Sequence, residues 1–269
     1  MKRYIFLLTL LALASCEAIP ETEFTDSPVV CCYLSAGESP VLTVQKLIPF
    51  QSDAQFSEED VNDLDITITD ETAGKDYLLA GMGEGKYANT DLIVQSGHEY
   101  SLSFDYDGVP VTAVTTVPAS PEGVTFSATV IEVMGFQPPQ MITRSPSSGI
   151  EITWKNDEGE YYIVEGKTSS TNPVMDVEDD EDMPVKSFKL NYTQGTSATL
   201  SSSDFNYYGS YHISVIHINH EYAVMSQGGS TSSTSLVDMK GNIDGGYGIF
   251  TGISSVTTTI TVAKGSSPF

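Results

Sequence analysis

Tyr100-Ser101-Leu102-Ser103-Phe104-Asp105-Tyr106-Asp107-Gly108-Val109-Pro110-Val111-Thr112-Ala113-Val114-Thr115-Thr116-Val117 holds the strongest local signal in the sequence. Two runs rich in aromatic and β-branched residues flank Asp107-Gly108, and Asp-Gly supplies the positive φ angles that a tight hairpin turn requires. The stretch predicts paired strands at 100–106 and 109–117. Working back toward the N-terminus, further strand signals fall at 29–34, 41–47, 64–69, 76–79 and 86–89. Among them Leu64-Asp65-Ile66-Thr67-Ile68-Thr69 alternates apolar and polar with period two, as a half-buried strand does. Seven short strands in about 90 residues suggest an antiparallel β-sandwich.

Val117-Pro118-Ala119-Ser120-Pro121 ends that unit, because two prolines deny backbone donors to a continuing sheet. Strand signals resume at 124–133, break over 135–148 and return at 150–155. Asn156-Asp157-Glu158-Gly159 turns the chain into 161–166, and strands follow at 187–192, 211–219 and 257–262. Residues 220–227 fit two helical turns. The expected fold is all-β, with two β-sandwich (immunoglobulin-like) domains at 28–120 and 121–269.

The N-terminus sets a compartment. Met1-Lys2-Arg3 is basic, and residues 4–12 are apolar apart from Thr9. The run is too short for a permanent transmembrane helix, which needs about 20 apolar residues, so it reads as an export signal. Leu13-Ala14-Ser15-Cys16 resembles the bacterial lipobox, in which the Cys becomes diacylglyceryl-modified and N-terminal; an ordinary signal peptide with a chance Cys is the alternative. On the first reading residues 1–15 are a lipoprotein signal peptide, Cys16 is the lipidation site and carries palmitate-type chains, and 16–27 form a tether. More than one chain is needed for stable attachment. Asp does not follow Cys16. The acidic tether carries Glu17, Glu21, Glu23 and Asp26, and reads either as a surface-export signal of the Bacteroidota type or as a solvated linker. The expected location is the cell outer membrane, on its periplasmic or its surface face.

The 269 residues carry 12 Lys+Arg against 36 Asp+Glu, a formal charge of −24. No basic surface exists to release counterions from a nucleic-acid backbone, so nucleic acid is excluded as a partner. Electrostatic attachment to anionic lipid is excluded on the same ground. Hydrophobic residues make up 40%, enough for a core.

Chemistry-bearing motifs are sparse. Cys31 and Cys32 are adjacent, with Cα atoms about 3.8 Å apart, shorter than an ordinary disulfide tolerates. They read as two small apolar strand residues on opposite faces. Asp176-Val177-Glu178-Asp179-Asp180-Glu181-Asp182 is either a calcium loop, since hard cations take several carboxylate oxygens, or a solvated insertion; it lacks the Gly and the ligand spacing of an EF-hand. His212, His217 and His220 lie within nine residues of one another, but strand alternation puts His212 and His220 on one face and His217 on the other. His220-Glu221-Tyr222-Ala223-Val224 lacks the second His of a zinc-protease motif, and His98 stands apart. No GxSxG elbow is present. Gly81-Met82-Gly83-Glu84-Gly85-Lys86 has the wrong spacing for a phosphate loop and reads as a turn before a strand. Trp154, the only tryptophan, reads as core packing or as a sugar-stacking platform. Tyr161-Tyr162 and Tyr207-Tyr208 each place one ring inward and one outward. No metal, cofactor or catalytic residue is singled out.

Near the C-terminus, Gly241-Asn242-Ile243-Asp244-Gly245-Gly246-Tyr247-Gly248-Ile249-Phe250-Thr251-Gly252 interleaves glycines with Phe250, which suggests tight backbone turns around one buried ring. This segment, with Asn242, Gly245, Gly246, Gly248, Phe250 and Gly252 as its structural motif, resembles the closing motif of a Bacteroidota lipoprotein family catalogued as domain of unknown function 4249. Gly85-Lys86-Tyr87, Gly97-His98-Glu99-Tyr100-Ser101-Leu102 and Thr115-Thr116-Val117-Pro118 resemble its first domain, and 211–222 its second. The resemblance implies an outer-membrane lipoprotein found alongside TonB-dependent transporters, and it carries over no catalytic residue. The function expected is that of a non-enzymatic accessory or binding component of a TonB-dependent nutrient-uptake assembly, partnering the transporter, with the membrane reached through the lipid on Cys16. The alternatives are a surface hydrolase on glycans or peptides and a structural adhesin.

Overall fold

A computed structural model describes residues 26–47, 61–134, 149–174, 183–228 and 241–265. Cys16, the tether up to residue 25, the loop 135–148 and the acidic run 176–182 lie outside the described residues. The first half of the chain supplies β1 (Pro28–Ser35), β2 (Val41–Lys46), β3 (Thr67–Asp70), β4 (Lys75–Leu78), β5 (Ala80–Gly83), β6 (Lys86–Ala88), β7 (Glu99–Tyr106) and β8 (Val109–Thr116). The second half supplies β9 (Thr125–Phe126), β10 (Val130–Val133), β11 (Ile150–Thr153), β12 (Tyr161–Lys167), β13 (Ser187–Lys189), β14 (Ser197–Leu200), β15 (Gly209–Ile218), the helix α1 (His220–Gly228) and β16 (Tyr247–Lys264). The chain is mostly β, and its strands are arranged as sandwiches.

The hairpin around Asp107-Gly108 forms as its chemistry dictates. Asp107 and Gly108 take φ of 52° and 81°, and the Asp105 carboxylate accepts the Gly108 N–H at 2.7 Å. β7 and β8 then pair from Glu99↔Thr116 to Tyr106↔Val109. Period-two alternation points Tyr100, Leu102, Phe104 and Tyr106 inward. They meet Val30, Cys32 and Leu34 of β1 and Leu42 and Val44 of β2 in one cluster. The four-stranded sheet β4-β3-β7-β8 therefore closes over one half of a nine-stranded sheet. A second cluster joins Ile150, Ile152 and Leu200 of the three-stranded sheet β14-β11-β9 to Tyr162, Val164, Tyr211, Ile213, Val215, Ile260 and Val262 of the nine-stranded sheet. Each large apolar side chain buried this way contributes roughly 1.5–3 kcal/mol.

β16 is common to both clusters. Its 18 residues, at a rise of ~3.3 Å each, run through both halves. Tyr247–Ile253 pairs parallel with Val29–Ser35, Ile253–Val262 antiparallel with Gly209–Ile218, and Thr261–Lys264 parallel with Val130–Val133. The antiparallel sandwich expected from the sequence thus gains two parallel pairings. β16 meets β1 and β10 across long stretches of chain, so no tight turn dictates the direction of pairing. Ile243 and Phe250, which the division at 120/121 places in the C-terminal unit, pack in the first cluster.

Other differences have local causes. The expected strand 124–133 is two short strands in different sheets, with the chain crossing the sandwich between them. The glycine-rich run 81–86 contributes β5 and its turn to β6, with Glu84 and Gly85 both at positive φ (54° and 65°) and a register shift between Gly81 and Gly83. Tyr207 and Tyr208 are both buried rather than facing opposite ways, because they sit in a non-strand approach to β15 where alternation does not apply.

Asp70, at the end of β3, is the buried carboxylate of the first unit. His98 Nδ1 lies 2.9 and 3.1 Å from its two oxygens, and the Ala73 N–H donates at 2.9 Å. Burial alone would push this carboxyl up, but the hydrogen bonds from His98 and Ala73 outweigh it and hold Asp70 below its ordinary value. A carboxyl lowered on folding stabilises the fold above the unfolded-state value, and that contribution disappears as pH falls through the folded value. The urea midpoint of the wild type is expected to fall as the pH drops below 3.8, the ordinary aspartate value, with a shallower fall for Asp70→Asn; equal slopes would sink this assignment.

Candidate functional site at the junction of the two units

The two hydrophobic clusters adjoin where the end of β8, the corner from β15 into α1, and the middle of β16 converge. Thr115 and Thr251 are buried polar residues, 5% and 0% exposed, and both hydroxyls donate to Glu221 Oε1, at 3.2 and 3.0 Å. Thr115 Oγ1 in turn accepts from Asn219 Nδ2 at 2.9 Å and from the Gly252 N–H at 3.2 Å. Asn219 Nδ2 also donates to the Thr116 carbonyl at 2.9 Å. One carboxylate on α1 thus ties a strand of the first unit to the strand shared by both.

The linker leaving β8 is held in the same way. Its Pro118 carbonyl accepts from Ser254 at 2.6 Å and Ser96 at 3.0 Å. His217 Nδ1 lies 2.8 Å from the Ala119 carbonyl, and since a carbonyl only accepts, that nitrogen carries the proton. The His217 ring stacks on Tyr162 with centroids 4.7 Å apart.

The closing motif seals the edge of β8. Asn242 pairs with Phe250 as a strand backbone would, donating to its carbonyl at 2.7 Å and accepting its N–H at 3.0 Å. Asp244 bridges Thr112 through backbone bonds of 3.0 and 2.8 Å. Phe250 is fully buried. Glycine is required where the segment threads between β1 and β8: a Cβ on Gly245 would stand 2.3 Å from the Pro110 carbonyl oxygen, and on Gly252 2.8 Å from that of Thr116. Gly246 faces the Pro28 carbonyl, and Gly248 that of Val30, in the same way.

A cleft of about 380 Å³ opens at this junction, lined by Val114, Thr115, Asn219, His220, Glu221 and Asn242 among others. The three clustered histidines do not converge on it. His212 is exposed and 3.2 Å from Thr259 Oγ1, His217 faces the linker, and His220 stands at the start of α1 against Tyr161. Among the described residues, no group of three or more His, Cys, Asp or Glu is placed to hold a metal ion. Cys31 is exposed and Cys32 buried, both as free thiols. Trp154 is buried in the second cluster, 5.4 Å from the Tyr162 ring, which fits core packing rather than a stacking platform.

A family model described as Domain of unknown function (DUF4249) matches residues 18–259. The chain belongs to that family. The matched span takes in the junction and the closing motif of this DUF4249 member, and Cys16 lies two residues before it. No curated protein matches the chain. Sequence reading singled out Asn242, Phe250 and the glycines. It missed Thr115, Asn219, Glu221 and Thr251 as a group, since each is an isolated polar residue and only the pairing of β8, β15 and β16 gathers them.

Proposed function

We propose that this DUF4249 protein is a lipoprotein anchored in the outer membrane through acylated Cys16, and that it serves as a non-enzymatic accessory or binding component of a TonB-dependent nutrient-uptake assembly. The observation that carries the reading is Leu13-Ala14-Ser15-Cys16 behind a basic start and a short apolar run. Two or more acyl chains at Cys16 anchor by several kcal/mol of buried methylene. A β scaffold that displays a cleft where its two units join suits binding, since contact surfaces sit on the irregular segments a rigid sheet positions. The test is co-purification of the tagged, full-length protein from detergent-solubilised outer membrane, with mass spectrometry of the captured proteins. A stoichiometric TonB-dependent barrel is expected, and Cys16→Ser is expected to move the protein from the membrane to the soluble fraction. Capture without a barrel overturns the accessory role, and membrane retention of Cys16→Ser overturns the anchor.

A further inference from the structure

The cleft at the junction has an uneven supply of hydrogen-bonding atoms. Its side-chain amide donors are spent: Asn219 Nδ2 on Thr115 and Thr116, and Asn242 Nδ2 on Phe250 and, at 3.3 Å, on Val114. The Thr115 hydroxyl is spent on Glu221. The acceptors are not. Glu221 uses Oε1 for both threonines, which leaves Oε2 without a partner among the described residues, and Asn219 Oδ1 is in the same position. Among the described residues no Lys or Arg lines the cleft, and the whole chain carries −24. Thr116 and His220 can donate or accept, so they do not alter the balance.

The start of α1 opens into the same cleft, and a helix N-terminus by itself favours anions. Here Glu221 occupies its first turn and already offsets that partial charge, so an arriving anion would meet a carboxylate. What fits is a positively charged donor. Two acceptor oxygens, one ionised, suit the planar fork of a guanidinium better than a point charge. Val114, 56% exposed on the cleft wall, offers an apolar surface for the methylene stem that carries it.

The geometry points to the junction cleft as a binding site for a guanidinium group, with Glu221 Oε2 and Asn219 Oδ1 as its acceptors and Val114 beside its stem. This deepens the binding role proposed above by giving the contacted chemistry, and it rests on that reading only for its setting.

The test uses the folded protein beginning after Cys16, with backbone amide chemical shifts followed during titration with N-acetyl-arginine methylamide. Agmatine, its lysine counterpart and its uncharged citrulline counterpart are titrated in parallel. Saturable shifts confined to 114–116, 219–221 and 242 are expected with the arginine derivative, weaker ones with lysine and none with citrulline. Tighter binding of the blocked arginine than of agmatine assigns the group to a peptide side chain, and the reverse order to a free small molecule. Glu221→Gln keeps an oxygen for the two threonines and is expected to weaken binding at least about tenfold, as losing a charged acceptor should. Val114→Lys, at an exposed position, is expected to abolish binding while leaving the urea midpoint unchanged. Equal binding of citrulline, no shifts at the cleft, or unaltered binding in both variants overturns the proposal. Capture of a barrel by the protein with no probe binding overturns this site alone and leaves the accessory role standing.

Discussion

Gly248→Ala is expected to cost roughly 3 kcal/mol or more, a large part of the ~5–15 kcal/mol by which a domain is stable. Two effects combine at this position. Gly248 holds φ +106°, which an L side chain adopts only under strain, and it is the register partner of Val30 in the parallel β1–β16 pair. A Cβ there would stand 1.9 Å from the Val30 carbonyl oxygen and 2.9 Å from its nitrogen. Those are backbone atoms inside a sheet, so relief requires β16 to pull away from β1, and Phe250 two residues on would leave the core with it. Gly37→Ala separates the two effects, because Gly37 also holds positive φ (+87°) but nothing lies within 4 Å of its Cβ position. It is expected to cost only about 1 kcal/mol. Urea unfolding followed by circular dichroism measures both. A Gly248→Ala loss no larger than that of Gly37→Ala would mean that β16 shifts freely against β1, contrary to the close approach of Gly248 to the Val30 backbone.

The strands the sequence made legible are those whose pattern is local. β7 and β8 are declared by Asp-Gly and by alternation, and both lie within a residue of where the pattern puts them. β1, β2 and β12 follow from short β-branched runs bounded by turn residues. β5 has no such pattern: Ala80-Gly81-Met82-Gly83 is poor in β propensity and is held as an edge strand by its hairpin with β6. β16 is the more instructive case. Only 257–262 carry the alternation of a half-buried strand, whereas 247–253 are glycine-rich and read as turns. They become strand because β1 and the edge of β8 leave a slot that backbone fills only where side chains are missing.

The candidate site shows the same division. The glycines, Asn242 and Phe250 were visible because glycine around one aromatic residue is unusual composition. Thr115, Asn219, Glu221 and Thr251 were invisible because nothing near them in sequence requires them. Glu221 is 106 residues from Thr115 and 30 from Thr251, so their meeting is a consequence of register, and register between distant strands is not encoded in any window of a single sequence.

Register also decides the second large effect. A chain ending at residue 240 is expected to lose cooperative structure in both units, although the first unit would keep every residue from 28 to 120. Without β16, β1 loses its neighbour on one side, β15 loses its ten pairings with β16 from Gly209↔Val262 to Ile218↔Ile253 and keeps only those with β12, and β10 loses its pairing on the nine-stranded sheet. Phe250 leaves the first cluster, and Ile260 and Val262 leave the second. Removing a buried Phe side chain alone costs roughly 3–5 kcal/mol, so either unit would be taken near or past the limit of stability. The units carry separate reporters. Trp154 lies in the second cluster. Cys32 lies in the first, where burial, with Cys31 beside it, pushes its thiol far above the ordinary value and keeps it unreactive. In a chain beginning after Cys16 and carrying Cys31→Ser, Cys32 is the only thiol. The truncated chain is expected to react with a thiol reagent at the rate of the urea-unfolded protein and to show solvent-exposed Trp154 emission, and a synthetic 241–264 segment added in trans is expected to slow the thiol reaction. Continued protection of Cys32 in the truncated chain would show that residues 28–120 fold by themselves and that β16 only decorates the first unit. The depth of Phe250 in that cluster, and the parallel pairing of seven residues along β1, argue for the opposite result.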